Sequence, residues 1–164
     1  MTMRALDPGS PDVVSCPARP SSSIVDEYGL HRFVRAQAHS YNRALSALRQ
    51  GRVGVRYREL LFPPLGAEGH VSTSRPHAIS CLDEARAYLA MPLLGGRYRE
   101  CVGVLQRQSD MDPRTVFGVA GATNLHGSLT LFSIANSEEF LLETMFDVWF
   151  DGLLHEETMR RLRR

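Results

Sequence analysis

The 164-residue sequence predicts a mainly α fold. Three observations carry this. Apolar residues recur at helical spacing along several stretches. Helix punctuation (Asp-Pro, Pro, Gly) stands at their ends. No segment alternates apolar and polar residues over the length of a strand. The expectation is a compact single domain of six to seven helices over residues 24–164, with a long irregular loop after the first long helix. A disordered tail of residues 1–23 precedes it.

The tail (DPGSPDVV, PARPSSS) is rich in Pro, Ser and Gly and can bury little apolar surface. Cys16 within it is expected as an exposed thiol. From Asp26 to Gln50, Leu30, Phe33, Val34, Tyr41, Ala44, Leu45 and Leu48 keep one face of a 3.6-residue period, which predicts one long helix. Asp26 has the chemistry of its N-cap, and Gly51 that of the left-handed residue after its end. His31 and His39 fall off the apolar stripe and are expected in solvent.

Residues 52–79 hold Pro63, Pro64, Pro76, Gly54, Gly66 and Gly69, which exclude a long helix. Tyr57 to Phe62 is expected as a short helical turn or a brief extended piece, the remainder as loop. Ser80-Cys-Leu-Asp83 has the form of a capping box, and Leu82, Ala85, Tyr88 and Leu89 mark a helix to about Ala90. Pro92 ends it. The next helix is expected from about Leu94 through Gln108. Asp112-Pro113 opens a short helix closed by Gly118. Asn124 to Ala135 is read as helix, although its TLFSI run also has strand character. Ser137 is expected to cap a helix that ends at Gly152, and His155 to Leu162 forms the last.

Composition excludes several functions. All 19 basic residues are Arg, and Lys is absent, so no Schiff base or Lys general base exists. A net charge of +1 argues against a broad nucleic-acid-binding surface. The three cysteines, Cys16, Cys81 and Cys101, are odd in number and lack ligand spacing, which argues against a disulfide scaffold or a metal site. No cofactor is implied. No secretory h-region is visible, and no apolar run approaches the ~18 residues that span a bilayer. The expected compartment is cytoplasmic.

Several segments together carry a resemblance. HRFVRAQAHSYNRALSALRQGR, FPPL, AISCLDEARAYLAMPLLGGRYREC and HGSLTLFS, in this order, resemble the bacterial domain-of-unknown-function family 1810 over roughly residues 26–162. The resemblance implies a small, mainly helical protein and assigns no activity. It also exposes a departure. The family pattern Gly-Arg-Lys-x-Ser-His-Trp-Met-Trp-Phe-x-Phe-Pro-Gln lies on GRVGVRYRELLFPP here. Val53 replaces Lys, Val55 replaces Ser and Arg56 replaces His. Tyr57 and Glu59 stand for the two Trp, Pro64 replaces Gln, and Asn124 replaces a second Lys. Two amines, an imidazole, a hydroxyl and an amide are gone together. They form the kind of set that would hold an anionic or nucleotide-like ligand.

The residues left at these positions are the candidate ligand-binding set: Arg52, Arg56, Tyr57, Glu59, His77, Asn124 and His126. A guanidinium can fork onto phosphate or carboxylate, but solvated Arg is the commoner role, and the same holds for a loop His such as His77. His126 with Ser128 makes a poor nucleophile–base pair, because residues two apart on a helix point apart. Arg97 and Glu100 could pair on one helix face. HEETM lacks the second His of a zinc-protease motif, and GVAGATNLHG lacks phosphate-loop spacing. The terminal RRLRR suits the negative end of a helix dipole.

The leading reading is a family member that has lost a polar pocket and acts as a non-catalytic binding or regulatory module with a protein partner. The rival is a binder of a small anionic ligand, or an enzyme, with a rebuilt site. The catalytic residues of such an enzyme are not identified. The rival needs residues 52–59, His77 and His126 to line one pocket. The module reading needs a shallow or apolar surface there.

Overall fold

The structure, a computed structural model, describes residues 26–66 and 75–163. The tail, with the Cys16 thiol expected in it, lies outside the described residues. Among them are eight helices and no strand: α1 His31–Ala38, α2 Tyr41–Arg49, α3 Val55–Leu61, α4 Leu82–Ala90, α5 Pro92–Arg107, α6 Pro113–Ala135, α7 Phe140–Trp149 and α8 Glu156–Leu162. The mainly α expectation holds, with one or two more helices than foreseen.

The extra helix comes from a break in the first long one. His39 and Ser40 open the backbone to φ −109° and −115°, and Ser40 N–H bonds back to the Gln37 carbonyl. Both are weak helix formers. The apolar face survives the break because Phe33 and Tyr41 remain in one core. The helix starts at His31 with Leu30, not Asp26, as its N-cap, so Asp26 acts on the helix start from further back, while Gly51 stands where expected. Both Asp26 carboxylate oxygens accept backbone N–H groups, of Leu30 and His31. Gly51 takes φ +73°, while the N–H groups of Gly51 and Arg52 close onto the Leu48 and Ala47 carbonyls, a Schellman end.

The cap of α4 sits one residue later than the sequence suggests. Cys81, not Ser80, is its N-cap, and the Glu84 carboxylate, not that of Asp83, reaches back to the Ser80 N–H and hydroxyl. Cys81 is also disulfide-bonded, which corrects the reading against a disulfide. Cys101 is free and buried. Pro92 stands at the first position of α5 rather than in a gap before it.

Helix α6 is two helices joined at Gly118, whose φ of 75° and ψ of 170° only glycine adopts readily. The second part begins directly after Gly118, not at Asn124. At its start Gly121 lies against the Arg58 side chain. A Cβ at Gly121 would lie 2.7 Å from Arg58 Cδ. Ser137 does not cap α7, whose N-cap is Glu139. The two ends of the connection between α3 and α4 are held together by a parallel bridge, Leu65 to Ile79.

α5 and α6 are the axis of the domain: α4 packs on both, α7 on α5, and α3 and α8 on α6. The core is aromatic at its centre. Tyr98 meets Phe132 with centroids 4.3 Å apart, and Phe62, Phe117 and Tyr88 surround them.

Candidate functional site

The GRVGVRYRELLFPPL stretch folds as a tether, a cap and one short helix. Val53 is buried, and its N–H donates to the Val116 carbonyl over 2.9 Å, joining the approach of α3 to the first part of α6. Gly54 is the extended N-cap, and Val55 opens α3 almost fully in water, 75% exposed. Leu60, Leu61 and Phe62 turn inward. Tyr57 packs at the core's edge. Arg58 folds back over the α6 kink, where its guanidinium meets Gly118 and Gly121 and Nε donates to Val53 O at 3.5 Å.

The candidate residues divide into separate groups. Arg52 and Arg56 are exposed on the α3 side. Glu59 pairs with Arg75 at 3.7 Å. His77 feels both Glu59 and Arg32, and its buried Nδ1 has no partner among the described residues. Asn124 donates from Nδ2 to the Phe62 carbonyl at 3.1 Å, pinning the end of α3 to α6. His126 belongs to a different junction. Its ring stacks on Phe150 at 4.0 Å and 2°, and Nε2–H donates to the Leu153 carbonyl at 2.7 Å. His155 lies 5.1 Å from it and accepts at Nδ1 from the Thr158 N–H. Ser128 pairs with the Tyr98 hydroxyl at 3.2 Å, so it and His126 do face apart.

Sequence reasoning missed two buried polar networks, both structural. In the first, the Arg32 guanidinium donates to the carbonyls of Tyr28, Gly29, Pro76 and Ala78 and to the Glu84 carboxylate. In the second, Gln37 donates to Leu60 O and to the Tyr88 hydroxyl. Arg97 reaches Gln37 Oε1 at 3.2 Å and lies 4.6 Å over the Tyr41 ring, rather than pairing with Glu100. Glu100 accepts from the Tyr41 hydroxyl. Beside it, burial pushes the Cys101 thiol up to about 12, so no reactive thiolate forms there. The only forward signal was Glu84 in its capping position. Apart from Tyr28 and Gly29, which adjoin Arg32 in the chain, the other partners are 23 to 60 residues apart.

Three half-buried histidines give the fold a pH dependence. Burial lowers His126, with the Leu153 carbonyl opposing. Burial lowers His155 as well, and neighbouring His126 and Arg161 add to it. His77 is lowered by burial against the pull of Glu59, with Arg32 reinforcing. The unfolded chain therefore binds more protons than the native one once pH drops below about 6.5, and stability present at pH 7 is lost on acidification. Melting temperature is expected to hold from about pH 8 to 7 and to fall between about pH 6.5 and 5. His126→Phe, which keeps a stacking ring, should flatten that fall. An unchanged slope would remove His126 from the account.

Among the described residues no three His, Cys, Asp or Glu side chains gather as metal ligands, and no helix is long and apolar enough to cross a membrane. The family described as "Protein of unknown function (DUF1810)" matches residues 27–162. The crystal structure of the conserved hypothetical protein Rv1873 from Mycobacterium tuberculosis is similar, with a TM-score of 0.77 and 31% identity, over 84% of this chain and 98% of that one. No curated protein matches the chain.

Proposed function

The chain belongs to the family described as a protein of unknown function (DUF1810), and within it we propose a non-catalytic binding or regulatory module. One observation carries the reading. The segment where the family pattern is most polar here offers exposed Val55 with Arg52 and Arg56, while three other candidates already have partners within the fold. Asn124 is bonded to Phe62, Glu59 to Arg75 and His126 to Leu153. A catalytic pocket needs its polar groups convergent and free to meet substrate.

The test is a thermal-shift panel of nucleotides, ADP-ribose and sugar phosphates, run beside a relative that keeps the Lys-x-Ser-His-Trp run. A ligand at 100 times its Kd adds about 2.7 kcal/mol, or roughly 5–10 °C for a chain of this size. The expected result is no shift for this protein. A shift of that size, lost in Arg56→Ala or His77→Ala, would establish the rival small-ligand site instead.

A further inference from the structure

We propose that the start of α3 and the kink of α6 form one docking face for an acidic, apolar-containing segment of another protein. The proposal rests on the module reading and names its partner's chemistry.

Val55 is 75% and Val119 72% exposed. Single exposed valines are ordinary, but these two stand in neighbouring segments that Arg58 joins. Val55 stands one turn before Arg58 on α3, and Val119 follows Gly118, against which the Arg58 guanidinium lies. The Val53–Val116 hydrogen bond fixes the two segments side by side. Arg52 and Arg56 flank the valines, exposed and without an ion pair among the described residues. The acid one turn on, Glu59, is engaged by Arg75.

This combination selects the occupant. Exposed valines beside the two unpaired guanidinium groups of Arg52 and Arg56 are complementary to carboxylates interleaved with aliphatic or aromatic side chains. A second copy of the chain would set Arg against Arg. A nucleic acid would want exposed aromatic faces for its bases, whereas Tyr57 is packed against the core.

The probe is a short fluorescein-labelled peptide of Asp and Glu interleaved with Leu and Phe, read by anisotropy. Polyglutamate, a Lys-for-acid version and a single-stranded oligonucleotide run beside it. The acidic-apolar peptide should bind best and weaken as ionic strength rises to about 0.3 M, where charges are well screened. Arg52→Glu with Arg56→Glu should weaken it at least about tenfold, and Val55→Ser or Val119→Ser several-fold each. Leu153→Ser, exposed but outside the face, should change nothing. All these sites are exposed, so an unchanged melting temperature certifies the variants. No binding, or binding indifferent to the arginines and valines, overturns the proposal. Equal binding of the oligonucleotide, indifferent to the valines, reassigns the face to nucleic acid. A silent small-ligand panel with a failed peptide removes only the acidic partner, whereas a positive panel removes the module reading itself.

Discussion

Replacing Gly95 by alanine is expected to destabilise the protein by about 3 kcal/mol or more, while the same change at Gly96 stabilises it by about 0.5–1 kcal/mol. The two residues are neighbours on α5. A Cβ at Gly95 would lie 2.1 Å from the Leu89 carbonyl oxygen and 2.9 Å from its carbon, both main chain at the end of α4. A flexible side chain could swing aside; a carbonyl within a helix cannot without separating α4 from α5. At Gly96 a Cβ meets nothing within 4 Å, so alanine there only reduces the freedom of the unfolded chain. Urea denaturation of both variants decides it. Equal effects in either direction would mean that the close approach of α4 and α5 does not set the requirement for Gly95.

The second large effect is expected at Glu84, whose side chain is 0% exposed. Its carboxylate takes the Arg32 guanidinium, the Ser80 hydroxyl and the Ser80 N–H. Glu84→Ala strands a mostly buried guanidinium and an amide donor together. Breaking a buried pair costs about 3–5 kcal/mol, and about 3 is expected here because Arg32 keeps four carbonyl partners and 19% of its surface. At about 2–4 °C per kcal/mol, the melting temperature should drop by roughly 6–12 °C. The neighbouring exposed pair Arg86–Asp83 is the control. Arg86→Ala should change stability by less than about 1 kcal/mol. Similar losses at both would contradict the clamp assigned to Glu84.

The segments that carry the family resemblance now have a physical reading. In LGGRYREC, Gly95 admits α4, Arg97 and Glu100 hold the Tyr41 region, and Tyr98 centres the aromatic core. In HGSLTLFS, Ser128 bonds Tyr98, Thr130 accepts the His155 N–H, and Phe132 packs at a tilt against Tyr98. In CLDEARAYL, Glu84 takes Arg32 and Tyr88 meets Gln37. These recognisable residues build the junctions between helices. Of the positions that depart from the family pattern, Val55 and Arg56 lie at the surface, whereas Val53 and Pro64 are buried and Tyr57 packs against the core.

Much of the helical frame was legible because its signals are local. Asp26 and Gly51 act on backbone groups within five residues, and Pro113 and Gly118 impose their own dihedrals. Where local signals were ambiguous, the reading slipped by a residue or a turn: the Cys81 cap, the break at His39–Ser40, the early restart after Gly118. The candidate site was legible only as a set of residue types. Whether Asn124, Glu59 and His126 would converge or be spent separately was not.

By itself, then, the sequence determined the mainly α class, most helix ends, the kink at Gly118 and the family. Each rests on interactions within a turn or so of chain, which residue order specifies directly. Only the tertiary structure decided that Arg32 meets Glu84 across 52 residues, that Asn124 reaches Phe62 across 62, and that Val55 and Val119 are left exposed. A period identifies which side of a helix is buried. It says nothing of which partner buries it; that follows from packing all the helices at once around one aromatic core.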